Sequence, residues 1–296
     1  MRRFSPFLFA FFLIACGGDD VSRDAEGNLQ LGSEEATQTT ERSVGLGNRT
    51  LVLDVDAGSI TIVGTDEAET RLRFVSVARG ATEASARQRL DRLTIEEAGD
   101  EEIYQYFARA NDVESIQINI EALVPYGASL NLRVERGDVR LSGTSGPVRV
   151  EVENGGIEAA GLAGRQVILK TELGDIDAGF AGFPVGAEAE VETESGSIVL
   201  TLPPDASLDV DTETKTGNVS VQDLTFTRQD LDEDEAGMTF EARLGEGEAE
   251  LRARTEVGNV KLRGGISRAL ADLDLTPPTD NSTVVPPGAP VPPSDG

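Results

Sequence analysis

Fifty-three carboxylates and no histidine define the chemistry open to this chain. Paired Asp and Glu side chains gathered on one face are the apparatus of enzymes that cleave glycosidic bonds. Asp138, Glu158, Asp175 and Asp177 recur at related positions and make the candidate row. Sugar sites also lean on aromatic platforms, and this sequence has no Trp and three Tyr. Without His a Ser–His–Asp system is excluded, and so is the side chain that titrates nearest neutral pH. The row is therefore read as the outward face of an acidic protein, and the chain as no enzyme. Oxygen ligands for calcium abound, but a calcium-binding β-roll repeats Gly-Gly-x-Gly-x-Asp, which only Asn154-Gly155-Gly156 approaches. Gly245-Glu246-Gly247 lacks the third glycine of a nucleotide loop and precedes a strand pattern. The single Cys16 allows neither an internal disulfide nor a zinc cluster. The sequence assigns no catalytic residue, no metal ligand and no cofactor.

Charge and targeting say where such a chain works. A formal charge of −27 repels nucleic acid and points any electrostatic attraction toward basic partners. Arg2 and Arg3 precede an apolar run, Phe7 to Ile14, too short to span a bilayer. The run ends in Leu13-Ile14-Ala15-Cys16, which resembles a bacterial lipobox. That resemblance implies a signal peptide over residues 1–15, cleavage before Cys16, and diacylglycerol on its thiol with an acylated amino group. Several acyl chains hold firmly, since each buried CH₂ adds about 0.8 kcal/mol. Gly17 follows the cysteine rather than Asp. By resemblance to Gram-negative lipoproteins this favours the outer membrane within the cell envelope.

The elements that must carry any surface follow from one short pattern. A glycine, a small polar residue, Ile or Val, any residue and an apolar residue recur seven times, at Gly58, Gly137, Gly155, Gly174, Gly196, Gly217 and Gly258. Reading backwards by twos from each glycine gives rows such as Leu130, Leu132, Val134 and Val148, Val150, Val152, with mostly charged residues between them. Alternation of this kind marks a half-buried strand. Each unit is thus strand, glycine bend, strand, with one apolar face. The glycines are read as structural bend residues, free to take positive φ or to approach a neighbouring backbone closely. Their spacing from Gly137 to Gly217 is 18, 19, 22 and 21 residues. The interval of 41 to Gly258 is read as two units, with a degenerate copy near Gly237 and the acidic run Asp230–Glu235 looping out. One such unit cannot bury its own apolar face, so the units must stack. The expectation is an all-β solenoid, or β-helix-like fold, of repeats about 20 residues long.

Residues 48–265 form the predicted repeat domain, interrupted over 81–121. There Ala84–Leu93 reads as a short helix with Thr82 as N-cap, and Tyr104–Phe107 and Ile116–Ile120 read as strands covering the N-terminal end. Residues 266–275 are a candidate cap for the other end. Residues 16–47, headed by Cys16, are polar and read as a flexible tether; about 30 such residues reach roughly 30 Å. Residues 276–296 hold seven of the thirteen prolines and read as an extended tail.

The ordered glycine units, the lead-in Val124-Pro125-Tyr126-Gly127-Ala128 and the late strand Gly245–Leu251 resemble the putative-adhesin β-strand-repeat family over roughly residues 47–265. This is a bacterial domain of unknown function, common in lipoproteins and envelope proteins. The resemblance implies a β-solenoid and an adhesin-like interaction module. Two readings stay open: a lipid-anchored envelope protein that binds a surface or envelope protein or glycan, with charge favouring a basic partner, and an envelope scaffold or spacer. A β-helix enzyme acting on polysaccharide is the third and weaker one.

Overall fold

The structure, a computed structural model, describes residues 21–23, 29–31, 34–109, 116–234 and 237–267. The signal sequence, Cys16 and the proline-rich tail lie outside them, as does all but the start of the candidate C-terminal cap.

Two short strands, β1 (Val21–Arg23) and β2 (Leu29–Leu31), pair antiparallel with each other. The domain itself opens with β3 (Glu34–Val44), β4 (Thr50–Ala57), β5 (Ile60–Thr65) and β6 (Thr70–Gly80). Next come α1 (Glu83–Leu90), β7 (Thr94–Gly99), β8 (Ile103–Arg109) and β9 (Ile116–Pro125). Regular units follow: β10 (Ser129–Arg136) bends into β11 (Val139–Ser142), and β12 (Val148–Asn154) into β13 (Ile157–Leu162). Likewise β14 (Gln166–Leu173) bends into β15 (Ile176–Phe180), β16 (Glu188–Ser195) into β17 (Ile198–Leu202), and β18 (Leu208–Thr216) into β19 (Val219–Gln222). A hairpin of β20 (Arg228–Asp234) and β21 (Gly237–Leu244) leads to the final unit, β22 (Glu250–Val257) and β23 (Val260–Gly264).

These strands build two open sheets with the core between them. The first strand of every unit enters an 11-stranded sheet and the second a 10-stranded sheet. Units pair in parallel with residues of the same type in register: Ile60, Val139, Ile157, Ile176, Ile198 and Val260 form one inward row, all at most 2% exposed. Leu53, Leu132, Val150, Leu169 and Val191 form the facing row, all fully buried. The chain is an all-β stack of solenoid type.

The order of the units differs from the order in sequence at both ends. In the 11-stranded sheet β22 lies between β16 and β18, and β4 lies between β8 and β10; the 10-stranded sheet repeats this with β23 between β17 and β19, and β5 between β9 and β11. The last unit is thus threaded inside its predecessor, and the first inside its successor. The 41-residue interval holds no degenerate repeat. Gly237 starts an antiparallel strand, and the acidic run to Asp234 is edge strand β20, not a loop. At the other end β8 and β9 are the outermost unit, with Ile118 where the other units have glycine.

The folded domain also begins earlier than its composition indicates, because Glu34–Val44 is β3, paired antiparallel with β6 along its full length. Only Ala36 and Val44 of its eleven residues are buried, so it carries almost no hydrophobic period. Helix α1 is shorter than expected and has Thr82 as N-cap, its hydroxyl accepting from Ser85 N. It packs on β6 and β3 through buried Ala86 and Leu90. Arg42 of β3 reaches Glu97 of β7 at 3.9 Å and ties the edges of the two sheets at this end.

Candidate interaction surface

The bend glycines form a ladder along one corner of the stack. All seven have φ between 137° and 157°. A Cβ on any of them would lie 1.8 to 2.0 Å from the backbone oxygen of the neighbouring unit, in the order Ile118, Gly58, Gly137, Gly155, Gly174, Gly196, Gly258, Gly217. Two polar ladders accompany it. Thr171, Thr193, Thr255 and Thr214 donate their hydroxyls to the oxygens of Gly155, Gly174, Gly196 and Gly258 at 2.8 to 3.0 Å. In alternate units the Asn or Asp at the position after the bend residue accepts from the next unit: Asn119, after Ile118, from Ser59 N (3.1 Å), Asp138 from Gly156 N (2.8 Å), Asp175 from Ser197 N (2.7 Å) and Asn259 from Asn218 N (2.9 Å).

Hydrogen bonds and ion pairs engage all four members of the candidate carboxylate row. Asp138 and Asp175 cap backbone amides at the bend, while Glu158 and Asp177 pair with Arg140 at 3.2 Å and Arg263 at 3.4 Å. The four split between two tasks of structure: two hold backbone amides, and the other two, side by side in the β13–β15 register, each pair with an arginine. Among the described residues no three acidic or Cys side chains group to hold a metal ion.

An extended charged surface covers the outer face of the 11-stranded sheet. One register row across it reads Asp54, Arg133, Glu151, Lys170, Glu192, Arg254, Glu213, with the sign alternating at every strand. Opposite charges placed across neighbouring strands stabilise each pairing by about 0.2–1 kcal/mol. The pairs are direct: Lys170 reaches Glu192 at 2.7 Å and Glu190 at 3.1 Å, and Arg254 reaches Glu213 at 3.5 Å and Asp211 at 3.6 Å. Burial pulls the Lys170 ammonium down, but its bonds to Glu192 and Glu190 outweigh this and hold its pKa above the usual lysine value. Burial likewise pushes the Glu190 carboxyl up, and Lys170 more than reverses it.

Two residues nearer the bend, the next outward row is Asp56, Glu135, Glu153, Glu172, Glu194, Glu256 and then Lys215. Here six carboxylates succeed one another at strand spacing, roughly 4.8 Å per step, over about 24 Å. Arg133 takes Glu153 at 3.1 Å, and Lys215 takes Glu256. The two rows border an open groove of about 480 Å³.

Residues 49–263 match the sequence profile of the Toastrack DUF4097 family. The chain belongs to that family. No curated protein matches it. Among solved structures, a putative cell adhesion protein from Clostridium sporogenes is 9% identical over 78% of this chain and 100% of its own, with a TM-score of 0.45. A putative adhesin from Bacteroides fragilis is 10% identical over 76% and 97%, with a TM-score of 0.35. A putative lipid binding protein from Parabacteroides distasonis is 8% identical over 77% and 96%, with a TM-score of 0.24. None of the three is described as an enzyme.

On this Toastrack domain the outward acidic positions of the 11-stranded sheet fall into different settings. Asp54, Glu151, Glu192 and Asp211 sit in or beside the alternating row and face cations, whereas Glu135 belongs to the acidic row. Lateral pairing interleaves most of these carboxylates with Arg and Lys. At the fourth residue before each bend glycine the sequence itself alternates from Asp54 to Glu192, and the threaded order of β22 and β18 carries the alternation on to Glu213. No helix among the described residues is long and apolar enough to cross a membrane.

Proposed function

We propose that this chain is a non-enzymatic, lipid-anchored protein of the cell envelope whose Toastrack domain is an adhesin-like interaction module. The observation that carries the reading is the row from Asp56 to Glu256: six carboxylates aligned on an extended face, bordered by a row whose charges are already matched. A linear array of one sign recognises a partner that presents cations at a repeat, so the partner is a basic envelope or surface component. Association through such a face weakens as salt rises. The anchor is Cys16, with the membrane reached through its acyl chains and the outer membrane preferred in a cell that has two.

Two measurements test this. The purified chain should bind envelope fractions at low salt and release them at high salt, and a variant with Glu153→Gln, Glu172→Gln and Glu194→Gln should bind weakly at both. Binding that ignores salt and these three carboxylates would refute the electrostatic reading. Turnover of a polysaccharide that is lost on neutralising one carboxylate would refute the non-enzymatic one. Mass spectrometry of the native protein should find an acylated Cys16 as the first residue; an intact Met1 or an unmodified Cys16 thiol would remove the anchor.

A further inference from the structure

The two ends of the stack are finished differently. At the β3 end, α1 lies against β6 and β3. At the other end, β21 and β20 carry the 11-stranded sheet two strands beyond β19, the last strand of the 10-stranded sheet. Two strands at roughly 4.8 Å each leave a step about 10 Å deep. The chain between β19 and β20 fills part of it, with Phe226 edge-on to buried Phe240 at 5.5 Å between centroids. Leu231, opposite Phe240 in the β20–β21 register and so on the same face, stays 57% exposed, and Val221 39%.

The floor of this step is a free strand edge. Val260 N donates to Asn218 O, so Asn218, Ser220 and Gln222 turn their backbone groups to β23. Those of Val219 and Val221 point the other way. Val219 N–H donates to the thioether of Met238 at 3.2 Å, a weak acceptor standing where a strand carbonyl would stand. The other three outer strands carry charge: Glu96 and Glu97 in β7, Asp230, Asp232 and Glu233 in β20, and Glu34, Glu35, Glu41 and Arg42 in β3. Edge charge is how sheet proteins prevent strand addition. β19, Val-Ser-Val-Gln, has none. Asp223, directly after it, has φ 55°, the one described non-glycine residue with positive φ.

We propose that the free edge of β19 accepts an extended segment of another protein as an added strand, one in which apolar and basic residues alternate. Its apolar side chains would rest on Val221, Phe226 and Leu231, and main-chain bonds to Val219 and Val221 would replace the Met238 thioether. Asp223, directly after β19, and Glu233, on the same face of β20 as Leu231, line the approach and select a basic segment. A second copy of this chain does not fit. Pairing β19 antiparallel to its own equivalent turns the copy about an axis perpendicular to the sheet, which drives its 11-stranded sheet into β21 and β20. This inference concerns a different surface from the acidic row and stands apart from that reading.

The test is residue-level hydrogen exchange on the full chain in detergent, with a synthetic peptide of about seven alternating Val and Lys residues and its Val/Glu counterpart. The Val/Lys peptide should slow exchange of the Val221 amide by at least about tenfold, and high salt should reverse this. The Val/Glu peptide should leave Val221 unchanged. Val221→Pro, which removes the outward N–H, should abolish binding. Should that variant misfold by circular dichroism, Leu231→Lys on the exposed wall is the substitute and should weaken binding at least tenfold. Unchanged Val221 exchange, equal protection by both peptides, protection at β3, β7 or β20 instead, or full binding to Leu231→Lys would each overturn the proposal. So would loss of binding in the variant neutralised at Glu153, Glu172 and Glu194, since that would place the peptide on the charged face.

Discussion

Replacing Gly155 by Ala tests the bend ladder at mid-stack. At φ 151° a Cβ would lie 2.0 Å from Gly137 O and 2.6 Å from its carbonyl carbon. Backbone cannot swing aside as a side chain can, so the two units must part by more than an ångström at this corner. Three hydrogen bonds cross between them there: Gly137 N to Asn154 O at 2.9 Å, Val139 N to Gly156 O at 3.0 Å, and Gly156 N to the Asp138 carboxylate at 2.8 Å. Holding Ala at that φ costs about 1–3 kcal/mol, and each weakened bond about 0.5–1.5 kcal/mol. The substitution should therefore destabilise by roughly 3–6 kcal/mol, well above the usual range for a point change. Gly127→Ala is the control. A Cβ there meets nothing within 4 Å and its φ is not in the left-handed region, so the change should be neutral or stabilise by up to about 1 kcal/mol through the unfolded chain. Urea unfolding followed by circular dichroism reads both. A stack can melt in segments, so exchange at Val150 and Leu169 should be followed as well, to place the loss at this unit. Equal midpoints for the two variants would refute the close-approach argument.

Ile176→Asp places an unpaired charge in a row that is 1% exposed and should cost more than about 4 kcal/mol, whereas Glu153→Lys on the outer face should stay within about 0.5 kcal/mol; chemical denaturation measures both. Thr193→Val removes the donor to Gly174 O, but Val already occupies the matching place at Val134 and Val152, so the loss should be about 1 kcal/mol and not a packing failure, read from the same curves. Arg243 grips Asp209 with two bonds, 2.6 and 2.8 Å, and holds its carboxyl below the usual value. A depressed carboxylate adds stability that is full above its unfolded pKa, about 3.9, and fades as pH falls through the lower folded one. The stability gap between the native chain and Asp209→Asn should therefore be constant near neutrality and shrink below about pH 4; a gap independent of pH would refute this.

The inward rows were legible because a period of two with a glycine at a fixed place needs no tertiary information. Leu132, Val150 and Leu169 face the core for the same local reason in every unit. Thr171, Thr193, Thr214 and Thr255 stand in the next inward row with Val134 and Val152, but the period does not reveal their task, since the oxygen each one satisfies belongs to another unit. β3 and β20 were missed because an edge strand has one neighbour and little to bury. Their Glu and Asp residues read as tether and loop while in fact charging the edge of a sheet.

The order of units was beyond local reading for a deeper reason. Every unit presents the same register and nearly the same two faces, so β16 accepts β22 as readily as β18: Glu192 meets Arg254 in one pairing and would meet Glu213 in the other. Charge prefers the first in two rows, since Glu192 meets Arg254 and Glu190 meets Arg252 where the second order would set carboxylates side by side. In the row nearest the bend charge opposes it, since Glu194 meets Glu256 in place of Lys215. The hairpin points the same way. β21 runs antiparallel on β18 and brings the chain back to the start of the unit, where it can enter only beside β18. Threading the last regular unit one place inward leaves the irregular, acidic strands outermost, and the same exchange at the other end leaves β7 and β3 there. Repetition supplies the core, and breaking sequential order at both ends protects its margins. The short β19 is the exception: it lies outermost in its sheet without a charge of its own, beneath an overhang two strands wide.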